Sequence, residues 1–118
     1  MNAQEFIKPT SKEITAIKAG WPPQIFVREF PLFYAGQVPN MAFLLTSGTI
    51  IIKNDSTGKE ESLDPPCLIG LHQLLTSAPT TSTATIQANS EASLIDKVTF
   101  LDLVNSDSEA GRELKKFA

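Results

Sequence analysis

The sequence predicts a mainly β fold with flanking helices, its middle built as an all-β sandwich or barrel. Two observations predict the β part. From Gln24 onward, short apolar or alternating runs are separated by turn residues, and the triple isoleucine Ile50–Ile52 is β-branched throughout, which suits a pleated, largely buried strand. A third predicts the helices: apolar residues at helical spacing are found near the two ends.

The first helix is expected over residues 10–20. Thr10 and Glu13 are spaced as a capping box, Ile14 and Ile17 share a face, and Gly20 with Trp21, Pro22 and Pro23 stops it. Strand candidates follow at Ile25–Phe30, at Leu32–Tyr34 closed by the Ala35-Gly36-Gln37 turn, and at Phe43–Thr46 before a Ser47-Gly48 turn. Thr49–Lys53 is the next. Asn54–Gly58 reads as a solvated turn that lets Lys59–Leu63 pair back as a hairpin, ended by Pro65 and Pro66. The apolar Cys67–Ile69 leads through Gly70 into Leu71–Leu75, long enough for one or two helical turns. The hydroxyl-rich Thr76–Thr85 is a polar loop or the start of an exposed strand, with strand at Thr83–Ala88 and again at Ala92–Ile95. Val98, Leu101 and Val104 set a helix. A last one is capped by Ser106 or Asp107, with Ala110, Leu114 and Phe117 in a stripe and Gly111 weakening it.

Composition narrows the function. A chain of 118 residues is the size of one domain, residues 1–118, with a β segment over 24–96 and C-terminal helices over 97–117. The lone Cys67 has no partner for a disulfide, so a cytoplasmic setting is expected. No apolar run reaches the length a bilayer needs, so no membrane is expected as a partner. With 13 acidic against 10 basic side chains, the chain lacks the footprint of a nucleic-acid binder. His72 is the only histidine, which excludes a multi-histidine metal centre, a cupin-type enzyme included, and no cofactor is expected.

The order of elements, and five short motifs within it, resemble the cyclic nucleotide-binding domain of the bacterial catabolite activator family and of protein kinase A regulatory subunits. The motifs are Phe33-Tyr34-Ala35-Gly36, Met41 to Gly48 running on into Ile50–Lys53, Leu68-Ile69-Gly70, Ala84 to Ala88, and Leu94 to Phe100 with Leu103. The resemblance implies an antiparallel β-roll, a jelly-roll-like double-stranded β-helix, with a role in bacterial signalling. In that family the ligand cassette begins Gly-Glu-Leu and later carries Arg-Ser-Ala, the Glu accepting the ribose hydroxyl and the Arg pairing with the cyclic phosphate. Here those stretches read Gly70-Leu71-His72 and Ser82-Thr83-Ala84, so Leu71 and Ser82 stand where the two anchors are expected.

A charge-assisted bond to phosphate is worth on the order of 1.5–3 kcal/mol, so losing Arg alone costs one to two decades of affinity. No Lys or Arg lies between Lys59 and Lys97 to replace it. The expectation is a stand-alone, non-enzymatic regulatory domain with a degenerate cassette, cyclic nucleotide binding weak or absent, acting on a protein partner. A second copy docked through the C-terminal helix is one form that partner could take. The alternative is a small-molecule sensor using the Gly70 turn, Leu71, His72 and the hydroxyls of Ser82 and Thr83. Restoring the anchors with Leu71→Glu and Ser82→Arg is expected to raise nucleotide affinity.

Single residues have competing readings. His72 is either a pH-dependent substitute for the missing cation or a surface residue. Thr81, Ser82 and Thr83 are either ligand donors or ordinary loop and edge-strand chemistry. Cys67, beside Leu68 and Ile69, is expected to be an inert core thiol. Trp21, Phe26 and Phe30 form either an exposed patch or a lid over one end of the core. Residues 97–118 leave no room for a helix-turn-helix, so a DNA-binding output is not expected.

Overall fold

The computed structural model describes residues 5–118. Among them the chain runs β1 (Phe6–Ile7), α1 (Ser11–Gly20), β2 (Gln24–Phe26), β3 (Phe30–Phe33), β4 (Met41–Ser47), β5 (Ile50–Asn54), β6 (Glu60–Leu63), β7 (Cys67–Ile69), α2 (Leu71–Thr76), β8 (Ser82–Ile86), β9 (Ser90–Asp96), α3 (Lys97–Val104) and α4 (Glu109–Leu114), with a 3₁₀ turn at Lys115–Phe117. The strands make two antiparallel sheets, one ordered β1-β7-β4-β9-β2 and the other β3-β8-β5-β6.

The five-stranded sheet separates two apolar cores. Between the sheets lie Phe33, Phe43, Leu45, Ile50, Ile52, Cys67, Ile69, Ala84, Ile86 and Ala92. On the outer face, Ala42, Leu44, Leu68 and Ile95 pack against Ala16, Ile17, Trp21, Leu71, Leu74, Phe100, Val104 and Leu114. This explains why β4 reads as an unbroken apolar run: a strand covered on both faces has no solvent side to fill with polar residues. In β5, by contrast, Ile50 and Ile52 are buried and Ile51 is only half-buried on the outer face.

The first helix follows the sequence closely. Thr10 caps it and the reciprocal bonds with Glu13 are both present, at 3.2 and 2.9 Å. The expected strand Ile25–Phe30 is corrected. It divides: Phe26 pairs with Ser90 in one sheet and Phe30 with Ile86 in the other, so Val27–Glu29 must carry the chain between sheets. The strand read at Thr83–Ala88 is Ser82–Ile86, set by the pairing of Asn54 with Ser82 and Ile50 with Ile86. Ser108, rather than Ser106 or Asp107, caps α4 by accepting the Gly111 N–H at 3.0 Å. Gly111 is required by packing, because a Cβ there would collide with the Leu103 carbonyl oxygen of α3. Gly48 is similar: its φ of +89° is left-handed and a Cβ would lie 2.6 Å from the Ser90 Cα.

Trp21 is a lid over the helix-side core. It stacks on Phe100 with ring centroids 6.1 Å apart and donates its Nε1–H to Asp96 Oδ1 at 3.1 Å. Phe26 and Phe30 lie together with ring centroids 6.0 Å apart and Phe30 exposed, while Trp21 is buried, so two of the three aromatics share a surface and the third does not. The Ala110-Leu114-Phe117 stripe packs into the helix-side core, with Leu114 fully buried. No helix of the described residues is long and apolar enough to cross a membrane.

Candidate functional site

The cassette runs from the end of β7, through Gly70 and α2, to the start of β8. Gly70 turns the chain at φ +77°, and a Cβ there would press on the Phe33 ring at 3.3 Å. Its N–H is already engaged, donating to the Glu5 carbonyl oxygen at 3.0 Å. Leu71 opens α2 and turns into the helix-side core, where it is fully buried beside Leu68, Leu74 and Phe100. His72 is half-buried on the same short helix, and its carbonyl oxygen accepts the Thr76 hydroxyl at 2.8 Å.

Ser82 and Thr83 are neighbours in sequence with opposite orientations. Ser82 is 1% exposed and faces inward in line with Ala84 and Ile86, and its hydroxyl has no hydrogen-bond partner. Thr83 is on the other face of β8, where its hydroxyl oxygen accepts the Ala35 N–H at 3.0 Å. Of the five residues singled out from the sequence, Ser82 alone lines a cavity at the mouth of the roll. That cavity has a volume of about 390 Å³ and is shared with Ile52, Asn54, Thr57, Lys59, Glu60 and Glu61.

Sequence reasoning missed Lys59 and the two glutamates as neighbours of Ser82. Their signal was available in the hairpin: Lys53 pairs with Glu60 and Ile52 with Glu61, while Asn54 pairs with Ser82 on the other side of β5. The rim therefore carries one cation and two carboxylates. It also missed Glu5, whose carboxylate lies against Thr81. The Thr81 N–H donates to Glu5 Oε1 at 3.1 Å and the Thr81 hydroxyl to Oε2. A two-residue strand such as β1 leaves no periodic pattern to detect.

Cys67 belongs to the core between the sheets, and burial raises its thiol to about 11, against a smaller lowering by the charge of Lys8. Among the described residues no group of three His, Cys, Asp or Glu side chains could hold a metal ion.

The comparisons with known proteins agree with this architecture. The family model for the cyclic nucleotide-binding domain matches residues 24–107. No curated protein matches in sequence. Among solved structures, one from work on a cyclic-GMP-dependent signalling pathway that regulates bacterial phytopathogenesis aligns with a TM-score of 0.77 at 19% identity, over 92% of this chain and 90% of its own. The catabolite activator protein of Thermus thermophilus aligns at 0.67 and 19% identity, over 91% of this chain; the match spans 52% of that longer protein. The N-terminal domain of a transcriptional regulator from Streptomyces coelicolor A3(2) aligns at 0.66 and 20% identity, over 92% of this chain and 80% of its own.

Proposed function

The chain belongs to the cyclic nucleotide-binding domain family, and from that premise we propose that it is a non-enzymatic regulatory module that has given up both nucleotide anchors and acts through protein contacts. The observation that carries this reading is Leu71. At the position aligned with the ribose-binding glutamate, it is an apolar side chain buried away from the roll's mouth, among the helices. Ser82, aligned with the phosphate-binding arginine, is too short to replace a guanidinium and carries no charge. The rim adds to this: Glu60 and Glu61 against Lys59 make the mouth unfavourable for an anion. The buried, unpaired Cys67 suits a reducing compartment such as the cytoplasm.

Titration calorimetry with cyclic AMP, cyclic GMP and cyclic dinucleotides tests the reading. The unaltered chain is expected to bind none of them tighter than roughly millimolar, and Ser82→Arg to gain about one to two decades for a cyclic mononucleotide. Micromolar binding by the unaltered chain that Ser82→Arg fails to improve overturns it.

One observation favours a second reading, a small-molecule sensor. The Ser82 hydroxyl is buried without a partner, and Ser82 lines a cavity that Lys59 also lines. An uncharged or zwitterionic ligand that satisfies both would bind there, and the same titrations extended to such compounds would detect it.

A further inference from the structure

The contact between Glu5 and the cassette gives the proposed module a docking site, and that site rests on the reading that the domain works through protein contacts. Glu5 is 0% exposed. Among the described residues the ion pairs are Arg112 with Asp107 and Lys116 with Glu13, so no described cation neutralises it. Its carboxylate is held by two donors of Thr81, one on each oxygen, and its carbonyl oxygen takes the Gly70 N–H. The next two residues pair with the edge of the five-stranded sheet, Phe6 opposite Ile69 and Ile7 opposite Leu68. Phe6 packs against the core between the sheets and Ile7 against the helix-side core.

Three consecutive residues thus fill three kinds of receptor: a donor pair for a carboxylate, an open strand edge, and two apolar sockets. That combination recognises an extended peptide. Strand addition supplies main-chain bonds, and alternate side chains enter separate pockets. A small anion would use only the Thr81 donors and leave the edge and the sockets empty.

The occupying segment is also easily displaced. A two-residue strand at the outer edge of its sheet, paired on one side only, belongs to the low end of local stability. A buried carboxylate held by hydrogen bonds without a cation regains hydration when it leaves.

We infer that Glu5–Ile7 is an internal ligand of the cassette, and that the site beneath it takes an extended peptide of a partner protein with the same pattern: a carboxylate, then an aromatic, then a β-branched residue. Until that peptide arrives, the chain covers its own docking edge.

The test uses the full chain and a fluorescein-labelled peptide, Ala-Gln-Glu-Phe-Ile-Lys, read by fluorescence anisotropy. Glu5→Gln weakens the internal carboxylate, and this variant is expected to bind the peptide about tenfold more tightly than the unaltered chain. A peptide with Gln in place of Glu should bind that variant about tenfold more weakly than the parent peptide. Equal affinities in either comparison overturn the inference. A second measurement needs no variant: amides of Phe6, Ile7 and Gly70 are expected to exchange hydrogen at least about a hundredfold faster than those of Phe43 and Leu44 in the β4–β9 pair. Equal protection means a permanent strand and overturns it too. If neither the peptide nor a nucleotide binds, this site fails while the rest of the surface remains available for protein contacts. If micromolar cyclic AMP or cyclic GMP displaces the peptide, both the peptide assignment and the protein-contact reading fall.

Discussion

At the scale of the residue, burial decides the chemistry. Cys67 has its thiol raised to about 11 by the apolar core, so at neutral pH almost no thiolate is present. The native chain is expected to resist a thiol reagent such as DTNB at pH 8 and to react fully once denatured; fast native reaction would contradict the placement. That inertness was legible in advance from the neighbouring Leu68 and Ile69. Leu71 was not legible in the same way. The resemblance implies its place in the cassette, but only the packing shows that it is buried in the same cluster as Ala16, Phe100 and Leu114. Leu71→Glu therefore does not restore an anchor. It places a carboxylate in an apolar core, and chemical denaturation should show a loss on the order of 3–5 kcal/mol. The double change with Ser82→Arg inherits that loss, which makes Ser82→Arg alone the informative variant. The orientations of Ser82 and Thr83 follow from the alternation of a strand, yet which of the two faces inward depends on the register with Asn54 and Lys53, a pairing that spans 28 residues for Asn54.

At the scale of the element, the local signals of α1 were faithful, that of the α4 cap missed by one or two residues, and long-range ones were silent. The capping box of α1 uses residues three apart, so a short window suffices to read it. The split of Ile25–Phe30 depends on Ser90 and Ile86, far along the chain, and no local pattern distinguishes a six-residue strand from two short ones in different sheets. The tie between α1 and the C-terminal turn is of this long-range kind. Glu13 is buried, which pushes its carboxyl up, but the Lys116 ammonium and the Thr10 N–H outweigh that and leave it below its ordinary value of 4.5. Asp96 is lowered as well, chiefly by hydrogen bonds from Thr99, with Trp21 adding to them. A carboxyl lowered on folding contributes stability at pH above its unfolded value, and that contribution is lost as pH falls through the folded one. Thermal melts from pH 7 to 3 should therefore show a falling midpoint below the ordinary carboxylate range. Lys116→Met should shallow that acid limb, since without the ammonium only burial and the capping bonds act on Glu13.

At the scale of the whole molecule, the shared sheet makes two cores into one cooperative unit. Leu44 and Leu45 are adjacent and both fully buried, one facing the helices and the other the roll. Leu44→Ala and Leu45→Ala are each expected to cost about 2–5 kcal/mol. Each should shift one common transition in near-UV and far-UV circular dichroism, and separate transitions for the two cores would refute the coupling. The general order of strands and helices was readable because each element carries its own period or turn. The composition of the roll's mouth was not, since Lys59 and Ser82 meet only when β8 pairs beside the β5–β6 hairpin. Leu71 and Leu74 share one apolar cluster with residues of α1, α3 and α4, while α2 itself rests on β4, so a single strand is the floor under both the short helix and the outer helices.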